Sequence, residues 1–232
     1  MLEVRGVTHG AGAFRLEADL TLPRAGRVAV IGPSGAGKST LLDLIAGFRT
    51  PDAGRILWDG SDLTDQPPGR RPVATLFQDN NLFPHLSLNE NLALALRPRG
   101  GRLDADQRTA RTEALERVGL PEMGARRPGD LSGGQQSRAA LARVLLQRRP
   151  VMLLDEPFAA LGPALKREML ALVRDVGDTL DALVLVVTHD PRDAQGFAAQ
   201  TVLVDEGRVH PPVATETLFS DPPAALRAYL GD

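Results

Sequence analysis

The run Gly32-Pro33-Ser34-Gly35-Ala36-Gly37-Lys38-Ser39-Thr40 has the residue types and spacing to grip a triphosphate. It fits G-x-x-x-x-G-K-[ST]. In that pattern backbone N–H groups close around phosphate oxygens, the lysine reaches the β- and γ-phosphates, and the first hydroxyl sits on Mg²⁺. Each residue from Gly32 to Thr40 is therefore a candidate triphosphate contact, and Ser39 a candidate metal ligand. Lys38 and Lys166 are the only lysines among 27 basic side chains. Arginine serves everywhere else, which implies that a compact ammonium is itself required at Lys38.

Three further polar groups follow apolar runs. Val151-Met152-Leu153-Leu154 ends in Asp155-Glu156, where Asp155 suits Mg²⁺, held through water, and Glu156 suits a base for an attacking water. Leu183-Val184-Leu185-Val186-Val187 ends in Thr188-His189, so His189 can donate to a γ-phosphate. Val73-Ala74-Thr75-Leu76-Phe77 ends at Gln78. As ends of parallel strands, these positions share the edge of an open sheet where ligands bind. Ser132 and Gln135 form S-x-x-Q, a capping box. Gly133 and Gly134 then fall in the first turn, where glycine weakens a helix. They make sense if that helix end lies flat against an anion.

The elements needed to place these residues are legible from periodicity. Val28-Ala29-Val30-Ile31 reads as a buried strand before the glycine loop, and residues 40–46 as a helix closed by Gly47. Phe14, Leu16, Ala18, Leu20 and Leu22 alternate as in a half-buried strand. Asp59-Gly60 and Glu206-Gly207 are turn signals. Capping boxes at Ser87/Glu90 and Asp104/Gln107 open helices, the second ending near Gly119. Another helix runs from the Ser132 box to Pro150, and Pro163 opens one more. From 87 to 149 the chain reads as helices without strands, whereas strands and helices alternate on either side. A helical insertion of about 87–149 in an α/β core of 1–86 and 150–232 is expected.

The chain has 232 residues, 43% of them hydrophobic and 24% charged, as in a soluble globular protein. A net charge of −2 gives no basic field to attract nucleic acid. With no cysteine, disulfides, thiolate metal sites and cysteine nucleophiles are excluded. No basic-then-apolar leader is visible, and no apolar run approaches the ~20 residues of a membrane span, so membrane association is expected through a partner.

Leu131-Ser132-Gly133-Gly134-Gln135 resembles the signature motif of ATP-binding cassette (ABC) proteins. The phosphate loop, Gln78, the Leu153-Leu154-Asp155-Glu156-Pro157 strand end and His189 occur in the order found in that family. The resemblance covers essentially the whole chain. It implies a P-loop NTPase core with a mostly parallel sheet, an antiparallel β subdomain and a helical insertion. It also implies a head-to-tail homodimer, in which Ser132 to Gln135 of one copy close over ATP held by Gly32 to Thr40 of the other. Glu156 is then the base, His189 the γ-phosphate switch, and Gln78 the link to Mg²⁺ and to a membrane partner. The implied cofactors are ATP and Mg²⁺. The implied partners are two transmembrane permease subunits and, indirectly, a periplasmic solute-binding protein, at the cytoplasmic face of a bacterial inner membrane.

Within the family, residues 45–48, 67–73 and 76–86 look most like the ATPase subunits of bacterial thiamine importers. Iron(III), polyamine, sulfate and molybdate importers share much of the pattern, and a soluble non-transport ABC ATPase is a further alternative. Two departures stand out. Ala159-Ala160-Leu161-Gly162 replaces the usual Ser-Ala-Leu-Asp, so Gly162 lacks the carboxylate that contacts the opposite subunit. The adenine-stacking aromatic is His9 or Phe14, with no tyrosine nearby.

Overall fold

The computed structural model describes every residue except 13, 78–81, 160 and 231–232. In chain order, the strands are β1 (Leu2–Ala11), β2 (Phe14–Leu22), β3 (Gly26–Ile31), β4 (Ala53–Trp58), β5 (Ser61–Asp62), β6 (Val73–Leu76), β7 (Val151–Asp155), β8 (Leu183–Val187), β9 (Gln200–Asp205), β10 (Arg208–Val209) and β11 (Val213–Ala214). The helices are α1 (Lys38–Ala46), α2 (Leu88–Leu96), α3 (Ala105–Arg117), α4 (Gly133–Gln147), α5 (Pro163–Thr179), α6 (Pro191–Phe197), α7 (Thr215–Ser220) and α8 (Ala224–Leu230).

The described strands join in one sheet of order β5-β4-β1-β2-β10-β9-β3-β8-β7-β6, with β11 also on β9. From β9 to β6 every neighbour is parallel. β1, β2, β4 and β5 pair antiparallel. The parallel strands are covered on both faces, which is why they read as unbroken apolar runs. Val28 and Val30 of β3 join α1 and the antiparallel strands in one core. Ala29 and Ile31 face the core built with α4, α5 and α6. Burying each Leu or Val of this kind contributes about 1.5–3 kcal/mol. The antiparallel part alternates as expected, with Leu16, Ala18, Leu20 and Leu22 buried.

Between 87 and 149 the described regular elements are helices, with α2 and α3 packed on α4. All three capping boxes form. Ser87 N donates to Glu90 Oε2 at 2.7 Å, Gln107 N to Asp104 Oδ1 at 2.8 Å, and Ser132 N to Gln135 Oε1 at 2.9 Å. Some boundaries differ from the sequence reading. α1 begins at Lys38 rather than Thr40, because Gly37 at φ 111° already delivers the chain into the helix. α4 stops at Gln147, three residues before Pro150, because Arg148 turns left-handed at φ 47°.

The loop helix α1 is held from behind by a buried arginine. Arg71 is 1% exposed. Its guanidinium donates to the carbonyls of Leu44 (2.6 Å) and Ile45 (2.9 Å) at the helix C-terminus, and to those of Thr64 (2.8 Å) and Gln66 (2.8 Å) in the neighbouring loop. A cation there answers both the orphan carbonyls and the negative end of the helix dipole. Arg71→Met is expected to strand these acceptors and cost about 3–5 kcal/mol in urea unfolding. A loss under about 1 kcal/mol would make the arginine dispensable.

Candidate active site

β3, β8 and β7 lie side by side, with Val30 opposite Val187 and Val187 opposite Asp155. The groups that follow these strands therefore converge. The glycine loop leaves β3, His189 follows β8, and Asp155-Glu156 close β7. An open cleft of about 340 Å³ is lined by Phe14, Ser34, Lys38, Ser39, Thr40 and Glu156, among others. Gln78 lies outside the described residues.

Lys38 is 7% exposed, and its Nζ donates to the carbonyls of Gly32 and Pro33, both at 2.8 Å. Burial pushes its pKa down, and the Glu156 and Asp155 carboxylates pull it back up. Burial lifts the Asp155 carboxyl above its ordinary range, opposed by a hydrogen bond from the Ser39 hydroxyl. The charges of Glu156 and Asp43 add to the lift, while Lys38 counters it. A hydroxyl and a carboxylate in mutual contact are hard oxygen donors. Among the described residues no cluster of three or more acidic, histidine or cysteine side chains could cage a metal. That pair of oxygen donors fits a hard cation such as Mg²⁺, which Ser39 and Asp155 would hold.

Glu156 adopts φ 43°, a left-handed conformation rare for a residue with a side chain. Such a conformation costs about 1–3 kcal/mol and persists where the surroundings enforce it. Here the Glu156 N–H donates to Val187 O at 3.2 Å, and its carbonyl accepts from Ala159 N at 3.3 Å. The Glu156 carboxylate then stands 3.2 Å from His189 Nδ1, with the His189 side chain 58% exposed. A half-buried carboxylate that lines the cleft thus has an accessible imidazole beside it.

The glycines of the loop have reasons beyond ligand approach. A Cβ on Gly32 (φ 148°) would lie 1.9 Å from the carbonyl oxygen of Val204. One on Gly37 would meet Leu16 and Phe14 at 2.6 and 2.8 Å. Packing against β9 and β2 thus demands both. Gly35 has nothing within 4 Å and faces open space, where a ligand can approach.

Residues 16–159 match the ABC transporter family. The chain belongs to that family. Over the full length of both chains it is 61% identical to the thiamine import ATP-binding protein ThiQ of Cereibacter sphaeroides and 53% identical to that of Ruegeria sp.. It is 46% identical to the thiamine import ATP-binding protein ThiQ of Shigella flexneri, over 100% of this chain and 99% of that one. Among solved structures, a dimeric post-hydrolysis state of the ATP-binding cassette MJ0796 bound to ADP and Pi superposes with a TM-score of 0.81 at 29% identity. It covers 93% of this chain and 99% of that chain.

In this ABC protein none of Ser132 to Gln135 is among the described residues that line the cleft. Ser132 is the N-cap of α4. The two glycines behind it divide their tasks. Gly134 lies against Leu165 and Leu161 of the same chain, at 3.2 and 3.3 Å from a would-be Cβ, whereas Gly133 meets nothing within 4 Å. Gly133 leaves the outer surface of that turn flat, and at Gly134 packing adds a reason for glycine.

Gly162 is the N-cap of α5, with no side chain to cap it and open space around its Cα. The usual aspartate would fit there without strain. Of the two aromatic candidates, Phe14 lines the cleft. His9 instead faces the carbonyl of Thr50, 3.1 Å from Nδ1.

Asn91 escaped the sequence reading. It is fully buried on α2 and makes four hydrogen bonds to the backbone of Phe83, Leu86 and Ser87, at 2.7–3.1 Å. It thereby fixes the loop that follows residues 78–81. An amide on an apolar face, between Leu88 and Leu92, was its signal.

Proposed function

We propose that this chain is the ATP-hydrolysing subunit of a bacterial ABC importer for thiamine, working as a homodimer on a pair of permease subunits. The observation that carries it is the meeting of Lys38, Asp155, Glu156 and His189 at the ends of three adjacent parallel strands. Full-length similarity to thiamine import ATP-binding proteins supports the substrate.

In this reading the amides and hydroxyls of Gly32 to Thr40 bind the triphosphate. Lys38 leaves its two carbonyl partners for the β- and γ-phosphates, and Phe14 receives the adenine. Ser39 and Asp155, with Gln78, would hold Mg²⁺, which would supply neutralising charge along the phosphates. Glu156 takes the proton of the attacking water, and His189 donates to the γ-phosphate. A second copy brings its Ser132 to Gln135, which are not among the described residues lining the cleft, over the nucleotide from outside. Glu156 and His189 then work in a closed, drier space, where a fixed donor and base are worth more.

The partner on the membrane side docks between the core and the helices of 87–149, taken here as a separate subdomain. A groove of about 370 Å³ there is lined by Phe48, Phe77, Phe83, Pro98, Arg143 and Arg149, among others. Phe48 and Phe83 are 53% and 41% exposed. Aromatic side chains in a groove are typical anchors for an inserted helix. In this reading attachment to the inner membrane is through the permease; no helix among the described residues is long and apolar enough to cross a membrane.

The test is reconstitution of the chain with its neighbouring permease and binding protein in vesicles. ATP-dependent uptake of labelled thiamine is expected, with phosphate release stimulated by the loaded binding protein. Stimulation by iron(III), a polyamine or another solute instead would reassign the substrate and keep the ATPase.

A further inference from the structure

The chain has one tyrosine, Tyr229, in the last helix. Its hydroxyl donates to the backbone carbonyl of His189 at 2.6 Å, across 40 residues of sequence. The ring is half-buried against the core that carries α5 and α6. The other end of the same junction is held too. Thr188 Oγ1 donates to Asp193 Oδ2 at 2.8 Å and accepts from Asp190 N at 3.1 Å. Lys166, from α5, pairs with that Asp193. The residues between β8 and α6 are thus pinned from α5 on one side and from α8 on the other. The His189 ring itself has Glu156 as a neighbour and is otherwise largely exposed.

We propose that Tyr229 is a positioning residue for hydrolysis: its hydroxyl fixes the main chain of His189, and α8 thereby sets where the imidazole meets the γ-phosphate. This rests on the reading of His189 as the γ-phosphate contact. A histidine ring moves with its own backbone, and a displacement near 1 Å in such a site can cost about 10²-fold in rate. A single long phenol from a packed helix limits that freedom without entering the cleft. Burial raises the pKa of the phenol, helped by the charges of Glu156 and Asp190, so the hydroxyl remains a donor at neutral pH. The contact also runs in reverse. Any movement of His189 toward nucleotide pulls on α8, which makes the chain's last helix a reporter of the nucleotide state.

Steady-state ATPase assays on the full chain with its permease, for Tyr229→Phe, His189→Ala and the double variant, separate the possibilities. Tyr229→Phe keeps the ring packing. It is expected to lower kcat about 3- to 10-fold, the worth of one net hydrogen bond, with KM for ATP unchanged. In the His189→Ala background it is expected to cost nothing further. Equal losses in both backgrounds, or an unchanged kcat in Tyr229→Phe alone, would overturn the proposal. Full turnover in His189→Ala would overturn the reading of His189 itself. Because the tyrosine is single, 3-fluorotyrosine labelling gives one ¹⁹F resonance at the contact. In a Glu156→Gln chain that resonance should shift on adding ATP and Mg²⁺, and the shift should vanish once His189 is also alanine. A resonance indifferent to ATP, or a shift that survives without His189, would likewise refute the coupling.

Discussion

Glu156→Gln is expected to bind ATP as well as the unaltered chain and to lose about 10²–10⁴ in turnover, the usual worth of a positioned general base. The amide has the same size and can sit in the same left-handed backbone at φ 43°. It can still meet His189 Nδ1, 3.2 Å away in the structure. What it cannot do is accept a proton from water. It also removes one negative charge beside Asp155, whose ionisation the Glu156 charge opposes. Nucleotide affinity is therefore preserved or slightly raised. Phosphate release under saturating ATP, together with equilibrium nucleotide binding, checks both halves. Turnover within threefold of the unaltered chain would remove Glu156 from the chemistry.

Lys38→Ala attacks the other half of the cycle. In the empty loop the ammonium satisfies the carbonyls of Gly32 and Pro33. In the bound state it exchanges them for phosphate oxygens, with charge-assisted bonds of about 1.5–3 kcal/mol each. Its loss is expected to weaken ATP binding about 10²–10³-fold, read by calorimetry on the isolated chain. Arginine should not rescue it, because a planar guanidinium is longer and does not present a point charge. The position is 7% exposed and leaves little room for that longer group. Affinity within threefold of the unaltered value in Lys38→Ala would take this lysine out of the phosphate site. The two substitutions thus separate binding from hydrolysis in one protein.

Local features were readable because their causes are local. A two-residue turn such as Asp59-Gly60 or Glu206-Gly207 takes positive φ at both residues, at 47° and 78° and at 44° and 79°, and the residue types announce it. A capping box closes within four residues, so Ser87, Asp104 and Ser132 marked their helices correctly. β7 and β8 could be read as central because a strand covered on both faces must be apolar throughout.

The readings that needed a distant partner were open or incomplete. His9 and Phe14 both lie near the first hairpin, and their letters do not say which one turns toward the loop. Gly134 carries a second constraint that its letter does not show, because Leu161 just before α5 and Leu165 within it lie against it. Arg71 had no role readable from its neighbours, because its burial against the end of α1 depends on a packing that no window of sequence contains.

The sequence by itself determined the chemistry available and its order along the chain: a lysine in a glycine loop, two carboxylates, a histidine and a serine-capped helix, each at the end of an element that periodicity or capping could define. Only the tertiary structure decided who meets whom. Strand order β3-β8-β7 sets Lys38, His189 and Glu156 on one edge, a strained backbone brings the Glu156 carboxylate to His189, and the last helix delivers Tyr229 to the His189 carbonyl. The physical reason is range. Side-chain periodicity and end-capping are fixed by neighbours a few residues away, whereas lateral strand pairing and cross-chain contacts are set by the packing of the whole core.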